Sequence, residues 1–447
     1  MRRGSIDVHR SNHQTLANAQ RTRMRPTKDA MAYSSKSLAI RLLNRLGSPL
    51  KAAGFAPRID GERILAKAQR AHGAPTELEP LSAEGLNVRA HAYDTEASLS
   101  LFGRLIVQRD LIRCVTNQLG FEQAYQQYPE ILQERIEKPL FIVGLPRSGT
   151  TLMQRLMCCH AGARYLPFWE VHEPVPHNVT PSPEDTRRRM RAGRNAVWQL
   201  NTVVPDLRGV HAITAATDPE ECLYLFLYTQ LLPDGFDFAN LPTYWRWLDN
   251  LPDRTAPHQM LARQLKLLQW VHRGQHWILK SPVHSARLPE LLEVFPDARI
   301  VFMERDPMQS VASLCSLTAL MWSVLSEDVD LNEVGAYVLD VAEQSRRVTG
   351  QALRNLGPDR LARVVYSELL KDPIGVADGL YKRFGYDGDP RLEGSMRNFM
   401  AANPRNKHPH HIYQLGDFGL DVETVRARLA PWGIPSAISD GSPQFAI

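Results

Sequence analysis

Four short runs of β-branched and other apolar residues punctuate the second part of the chain, and each is followed by apolar residues at helical spacing. The runs predict buried strands at residues 140–143, 276–280, 299–303 and 362–366. Helices are predicted near residues 149–159, 285–295, 307–320 and 367–384. This alternation is typical of a parallel sheet with helices on both faces.

The residues before the first strand follow a different pattern. Segments such as Leu38 to Leu46 and Leu99 to Val107 carry apolar residues at helical spacing, and no strand-like alternation precedes Leu140. We therefore predict an all-helical region over residues 36–136 and an α/β domain over residues 137–447. The segment 160–275 is mixed, rich in Trp and Pro, and lacks clear strands; we expect it to form the helical wall of a substrate pocket.

The first predicted strand runs directly into a glycine loop, residues 144–151, with the pattern G-x-x-x-x-G-T-T. A strand, a tight loop and a helix N-terminus direct free backbone N–H groups at one point, which favours an anion. The loop is P-loop-like but lacks the Lys that contacts a nucleoside triphosphate. Arg147 lies inside the loop instead, where its planar guanidinium group can bind oxyanions.

A second candidate anion site follows the strand at 299–303. Asp306 and Pro307 are a typical helix start, so Arg305 is predicted at a strand end and Ser313 about two turns into the helix. Ligands bind outside the carboxyl ends of parallel strands. We expect Arg305 and Ser313 to hold a second, separate phosphate.

The composition, 43% hydrophobic and 23% charged, is that of an ordinary globular protein large enough for one or two domains. No apolar run of about 18 residues predicts a membrane span, and no apolar stretch follows the first charges as in a secretory signal. The five cysteines are scattered without C-x-x-C spacing, which favours reduced thiols and a cytoplasmic location.

The net charge of +5 comes from the N-terminus. Residues 1–28 hold seven basic residues and one acid, which leaves 46 basic and 47 acidic residues in the rest of the chain. We interpret residues 1–35 as a disordered basic tail, with a transit peptide or a misplaced start codon as alternatives. The neutral body gives no reason to expect nucleic acid as a partner.

Taken together, these motifs resemble those of the sulfotransferases that use 3′-phosphoadenosine 5′-phosphosulfate (PAPS), in the bacterial-type family related to tyrosylprotein sulfotransferases. Further similar segments follow in the family's order and span most of residues 138–435: Leu279-Lys-Ser-Pro-Val-His284, Val365-Tyr-Ser-Glu-Leu-Leu-Lys-Asp-Pro373 and Lys407-His-Pro-His-His-Ile-Tyr-Gln-Leu-Gly-Asp-Phe-Gly-Leu420. The resemblance implies transfer of a sulfuryl group from PAPS to a hydroxyl acceptor, a small molecule or a glycolipid, by in-line displacement without a metal.

The resemblance also assigns roles to residues. Arg147, Ser148, Gly149, Thr150 and Thr151 would hold the 5′-phosphosulfate. Arg305 and Ser313 would hold the 3′-phosphate, with Tyr366 against the adenine. Lys280, at the predicted end of a strand, would contact the bridging oxygen, and Lys407 and Tyr413 would lie near phosphate in a closing loop.

Two departures from the family pattern lie in these segments. Pro409 stands where Gly is usual, and Glu304 stands where His is common, which places a carboxylate beside Arg305. The run His408–His411 is interrupted by Pro409 and has no Cys cluster nearby, so no metal site is predicted there.

The proton acceptor is predicted to be Glu170, because it follows the first helix after the glycine loop and has the aromatic neighbours Phe168 and Trp169. His284 is the alternative base. In cytosolic sulfotransferases a His two positions after the matching Lys is the base, and Pro282 occupies that position here. The aromatic residues of the segment 160–275 line a pocket or belong to the core: Trp198, Tyr224, Tyr228, Tyr244, Trp245 and Trp247.

Two other functions are compatible with a glycine loop. A P-loop nucleotide kinase would need the triphosphate Lys and a metal-binding acid, which are not at the expected positions. A catalytically silent nucleotide-binding scaffold would bind adenosine 3′,5′-bisphosphate without sulfating any acceptor.

Overall fold

A computed structural model describes residues 38–177, 179–203, 213–233, 237–386, 388–403 and 414–432. Its five strands form one parallel sheet in the order β2-β3-β1-β4-β5. The strands are β1 Leu140–Val143, β2 Ala163–Arg164, β3 His276–Lys280, β4 Arg299–Glu304 and β5 Leu361–Val365. The predicted α/β fold is confirmed, and β2 was missed because two residues are too short to show a pattern.

The helices before the sheet are α1 Leu38–Ala52, α2 Gly61–His72, α3 Pro80–Thr95 and α4 Leu101–Gln127. Those between β1 and β3 are α5 Thr150–Met157, α6 Phe168–His172, α7 Pro183–Val203, α8 Leu223–Thr229, α9 Pro242–Asp249 and α10 Ala256–Val271. The later ones are α11 Leu288–Val294, α12 Pro307–Leu325, α13 Leu331–Leu353, α14 Tyr366–Lys371, α15 Pro373–Phe384, α16 Leu392–Ala402 and α17 Val422–Leu429.

The N-terminal helices do not form a separate core. Leu111 and Leu119 of α4 are buried in the same apolar cluster as Phe141 of β1, Leu279 of β3 and Ile300 of β4. Side-chain caps define where these helices begin. Ser100, for example, accepts a hydrogen bond of 3.0 Å from the Gly103 amide at the start of α4. The helical region therefore packs onto one face of the sheet.

The register of the sheet aligns the carboxyl ends of four strands. Ile142 pairs with Lys280, Val143 pairs with Phe302, and Glu304 pairs with Val365. The glycine loop, Lys280, Arg305 and Tyr366 consequently emerge at one edge of the sheet. Tyr366 begins α14, although the sequence predicted it as the last strand residue.

The segment between β2 and β3 is helical, as expected, but its aromatic residues have different environments. Tyr228 and Tyr244 are fully buried in the core, whereas Tyr224 lines a cavity. Trp245 stacks on Tyr337 of α13, with ring centroids 4.5 Å apart. Trp198 is 69% exposed.

One helix in the described part of the chain, α12, is long and apolar enough to cross a membrane by length and composition. About two thirds of its most apolar window, 67%, is buried inside the protein. A core helix of a soluble protein passes the same test, and α12 packs against α13 and α4.

Candidate functional site: a glycine loop, a Lys–Glu pair and an apolar cavity

The glycine loop is held by its own short hydrogen bonds. The Ser148 hydroxyl and amide both donate to the Leu145 carbonyl, at 2.7 and 3.2 Å. Gly149 has a φ of 92°, and a Cβ there would lie 2.7 Å from the Tyr366 ring. Glycine is needed for both reasons. Because α5 begins at Thr150, its first unpaired N–H groups face this loop.

The structure brings the two predicted anion sites into contact. The Arg147 Nε donates to Ser313 Oγ at 3.1 Å, and the Arg305 guanidinium group donates to the Arg147 carbonyl. The Arg305 group also stacks on Tyr366, 4.4 Å from the ring centroid. Arg147, Ser313, Arg305 and Tyr366 therefore form one cationic and aromatic rim around the loop.

Glu304, which precedes Arg305, has other cationic neighbours. Its charge acts on Arg346 of α13 and on Arg363 of β5. Burial lowers the pKa of both guanidinium groups, and the Glu304 carboxylate partly offsets that effect. The carboxylate at position 304 thus faces more than one cation, which limits its effect on Arg305.

Lys280, the last residue of β3, is buried beside the loop. Its Nζ donates to Glu221 Oε1 at 2.6 Å and lies 3.4 Å from Thr151 Oγ1. Ser281 Oγ donates to the other oxygen of Glu221 at 3.2 Å. A carboxylate fixed by Lys280 and Ser281 therefore lies next to the glycine loop.

Backbone bonds position this carboxylate. The Cys222 amide donates to the Lys280 carbonyl at 3.0 Å, and the Glu220 amide donates to the Leu166 carbonyl at 2.7 Å. Gln154 of α5 donates to the Glu220 carbonyl at 2.9 Å. Sequence reasoning missed Glu221. Its only signal was a carboxylate pair after Pro219 in a segment without strands, and no spacing links that pair to the loop.

Glu170, the predicted base, has a different environment. Both of its oxygens contact Arg164 Nη2, at 2.9 and 2.8 Å, and its side chain is 1% exposed. Phe168 and His172, four residues apart on α6, line the cavity described below. Position 170 is on the opposite side of this helix.

The structure therefore does not bring Glu170 to the cavity. The chain does return near the site after α5, as expected, but α6 directs Phe168 and His172 inward and Glu170 toward Arg164. Glu170 as the base stays a prediction, and this orientation argues against it.

His284, the alternative base, is fully buried in a 3-10 segment, Pro282–Arg287. Its Nδ1 lies 3.2 Å from Nε2 of His258, and burial lowers the pKa of His284 well below its ordinary value. The cavity is lined by the preceding Pro282 and Val283 instead. In this conformation His284 is paired with His258 in the core and does not line the cavity.

A cavity of about 420 Å³ begins at Pro146 of the glycine loop and at Glu220 and Glu221. Its wall is mostly apolar and comes from α4, α7, α8 and α12. Representative lining residues are Ile106, Leu200, Leu227, Leu314, Met321 and Val324. This is the size of a small-molecule site with a few convergent polar groups at one end.

Lys407, Tyr413 and the His408–His411 run lie outside the described residues, as does the basic tail. Among the residues that the structure describes, no three His, Cys, Asp or Glu side chains come together as a metal site.

Known proteins with similar sequences and structures share this architecture. Residues 139–390, more than half of the chain, match the model of the sulfotransferase family. The chain is similar to omega-hydroxy-beta-dihydromenaquinone-9 sulfotransferase Stf3 of Mycobacterium bovis, with 26% identity over 316 residues, covering 66% of this chain and 74% of that protein. The Stf3 protein of Mycobacterium tuberculosis shows the same similarity.

Two solved structures are similar over almost their whole length. Sulfotransferase STF9 from Mycobacterium avium has a TM-score of 0.75 and 26% identity, covering 84% of this chain and 96% of that one. Sulfotransferase STF1 from Mycobacterium tuberculosis has a TM-score of 0.70 and 26% identity, covering 83% and 98%. With its parallel sheet, glycine loop and extensive family match, this chain belongs to the sulfotransferase family of enzymes.

Proposed function

We propose that this enzyme transfers a sulfuryl group from PAPS to the hydroxyl group of an apolar acceptor. The observation that carries the proposal is the position of the Lys280–Glu221 pair between two sites. Lys280 Nζ is 3.4 Å from Thr151 of the glycine loop, and Glu221 lines the apolar cavity. One side of the pair thus faces an anion cradle and the other an apolar pocket.

In this proposal the glycine loop and the N-terminus of α5 bind the 5′-phosphosulfate, because their N–H groups converge on one point. Arg305 and Ser313 bind the 3′-phosphate, and Tyr366 supports the nucleotide. Arg147, which donates a hydrogen bond to Ser313, supplies a further cation between the two phosphates.

The base in this proposal is Glu221. Its carboxylate removes the acceptor proton while the acceptor oxygen forms a bond to sulfur. The bond from sulfur to the bridging phosphate oxygen breaks, and its electron pair stays on adenosine 3′,5′-bisphosphate. Lys280 stabilises the charge that develops on that oxygen. Its contact with Glu221 fixes both groups before substrates arrive.

The apolar wall supports a lipid alcohol as the acceptor class. An isoprenoid or long alkyl chain would lie along the cavity with its terminal hydroxyl at Glu221. The name of Stf3 describes a hydroxylated menaquinone derivative as its acceptor, which also supports a hydroxylated lipid for this chain.

The test is transfer of label from ³⁵S-PAPS to farnesol, geranylgeraniol, 1-decanol and 2-naphthol, with the products separated by chromatography. We expect labelled sulfate esters of the long alcohols. In parallel, adenosine 3′,5′-bisphosphate should raise the melting temperature more than AMP or ATP, because a ligand that binds only the native state stabilises it. ATP as the best ligand, with phosphorylated products, would contradict the proposal in favour of a kinase.

If the protein binds the bisphosphate but sulfates none of these alcohols, the assignment of the nucleotide site is retained and the lipid alcohol is excluded as the acceptor.

A further inference from the structure

Large apolar side chains are exposed on several helices of the chain and on the turn after α1. Leu46 of α1 is 76% exposed, Phe55 after α1 is 78% exposed, and Leu105 of α4 is 44% exposed. Trp198 of α7 is 69% exposed, and Leu42 lies one turn before Leu46 with 49% exposure. Exposed apolar residues that cluster indicate an interaction site, whereas single ones need no explanation.

Direct contacts show that α1 and the start of α4 adjoin. The Phe102 amide donates to Asn44 Oδ1 at 3.0 Å, and the backbone of Gly47 approaches the Leu101 side chain closely. Leu105 lies one turn beyond Leu101 on the same face of α4. The exposed face of α1 therefore continues onto α4.

The same face of α4 reaches α7. Arg109 is one turn beyond Leu105, and its guanidinium group donates to Gln199 Oε1 of α7 at 3.3 Å. Trp198 is the neighbour of Gln199 along the chain. We name the surface formed by Leu42, Leu46, Leu105 and Trp198 the apolar rim.

The cavity opens beside the apolar rim. Phe102 and Ile106 of α4 line the cavity, and so do Arg109 and Gln199, which are themselves exposed to solvent. Because Arg109 of α4 and Gln199 of α7 line the cavity and are also exposed, the entrance of the cavity lies between these two helices. An apolar substrate would thus enter at the point where apolar side chains face solvent.

The charges around the apolar rim are positive. Arg41 and Arg45 are exposed on α1, and Arg191 and Arg194 share the exposed face of α7 with Trp198. No acidic residue occurs in α1, in residues 101–109 or in residues 191–203. Basic residues beside apolar ones match the headgroups and the upper acyl region of an anionic bilayer.

We infer that the apolar rim docks on the surface of an anionic lipid bilayer, so that a lipid acceptor passes from the membrane into the cavity between α4 and α7. The inference rests on the proposed function for the identity of the acceptor class. The docking itself is a peripheral contact. Apolar side chains enter the interface while arginines hold the lipid headgroups.

The test compares the full chain with the double variant Leu46→Ser/Trp198→Ser in co-sedimentation with vesicles of phosphatidylglycerol and phosphatidylcholine. Neither residue lines the cavity. We expect the double variant to bind at least about tenfold more weakly, because each substitution removes a large apolar side chain from the interface. Binding of the unmodified chain should decrease with salt and on vesicles of phosphatidylcholine alone.

A matched control is Leu132→Ser/Trp270→Ser, which also removes one Leu and one Trp that are exposed, 36% and 37%, but outside the apolar rim. It should bind vesicles like the unmodified chain. Turnover of 1-decanol in solution without vesicles should be equal in all three proteins, which shows that the variants are folded and separates docking from catalysis.

Three results would overturn the inference: equal vesicle binding by both double variants and the unmodified chain, a lack of vesicle binding altogether, or a change from dimer to monomer in Leu46→Ser/Trp198→Ser by sedimentation. The change from dimer to monomer would show that the apolar rim is an interface between two copies of this chain. If vesicles are bound but no alcohol is sulfated, the docking surface stands and the proposed reaction fails.

Discussion

The anion cradle and the apolar cavity meet at Glu221, but they are built in different ways. The cradle consists of short segments that each follow a strand, at residues 144–151, 280–281, 305–313 and 366. The cavity is built from side chains scattered between Arg89 and Ser345, on helices far apart in the chain. A site at strand ends is coded locally, whereas a site between helices depends on how the helices pack.

Two of the buried carboxylate–cation pairs in the described part of the chain show a similar contrast. Glu170 with Arg164 and Glu221 with Lys280 have similar contact distances, 2.8 and 2.6 Å. The Glu170 side chain is 1% exposed and faces the core, while that of Glu221 is 14% exposed and faces the cavity. We propose that the first pair contributes to stability and the second to proton transfer.

The largest expected effect is on turnover in Glu221→Gln. This change keeps the shape and removes the proton acceptor, so kcat should fall by roughly 10²–10⁴ while bisphosphate affinity is retained. Glu220→Gln, at the neighbouring cavity residue, is the control and should keep turnover within about tenfold. If Glu170→Gln is inactive and Glu221→Gln is not, the assignment of the base is reversed.

The next effect concerns stability. Glu170→Gln leaves the Arg164 charge buried without its carboxylate, and breaking a buried pair in this way costs about 3–5 kcal/mol. The Arg164 bonds to the His272 and Leu268 carbonyls remain, so the lower end of that range is expected. Urea unfolding would measure the loss, and residual turnover per folded molecule should be near that of the unmodified enzyme. Unchanged stability would show that the pair is not structural.

A smaller effect is expected at the cradle. Arg305→Ala should remove the preference for adenosine 3′,5′-bisphosphate over AMP, because a charged hydrogen bond contributes about 1.5–3 kcal/mol. AMP affinity is the internal control and should be nearly unchanged, since AMP has no 3′-phosphate. Isothermal titration calorimetry on both nucleotides would measure this. Equal affinity for the two nucleotides in the unmodified protein would exclude Arg305 as the 3′-phosphate ligand.

The last effect, which appears only at acid pH, is a pH dependence of stability at the His258–His284 pair. Burial lowers the pKa of His258 to about 3, so the folded protein stays unprotonated there while the unfolded chain takes up a proton near pH 6.5. Stability is therefore fully present above pH 6.5 and is lost as the pH falls toward 3. The slope is about 1.4 kcal/mol per pH unit for each such proton.

His258→Gln should flatten the dependence of the melting temperature on pH in that range without changing the pH profile of turnover. If it changes the profile of turnover instead, the histidine pair is linked to the chemistry and His284 regains its place as a candidate base.

The sequence alone predicted the strands β1, β3, β4 and β5 to within one residue at each end, because each is a short apolar run bounded by turn residues. Helix boundaries were less accurate. The helix expected near 367–384 is interrupted at Asp372, whose side chain accepts from the Gly375 amide at 2.9 Å and starts a new helix with Pro373.

The glycine loop and the Arg305–Ser313 spacing were likewise determined by the sequence itself, since their geometry depends on residues within one strand, loop and helix. The proposal of Glu221 rather than Glu170 as the base rests on the tertiary structure alone. Each helical residue is rotated by about 100° from the last, so the packing of α6 determines whether position 170 or its neighbours face the cavity. The cavity, too, exists only because helices distant in the chain pack around it, and no local pattern records that arrangement.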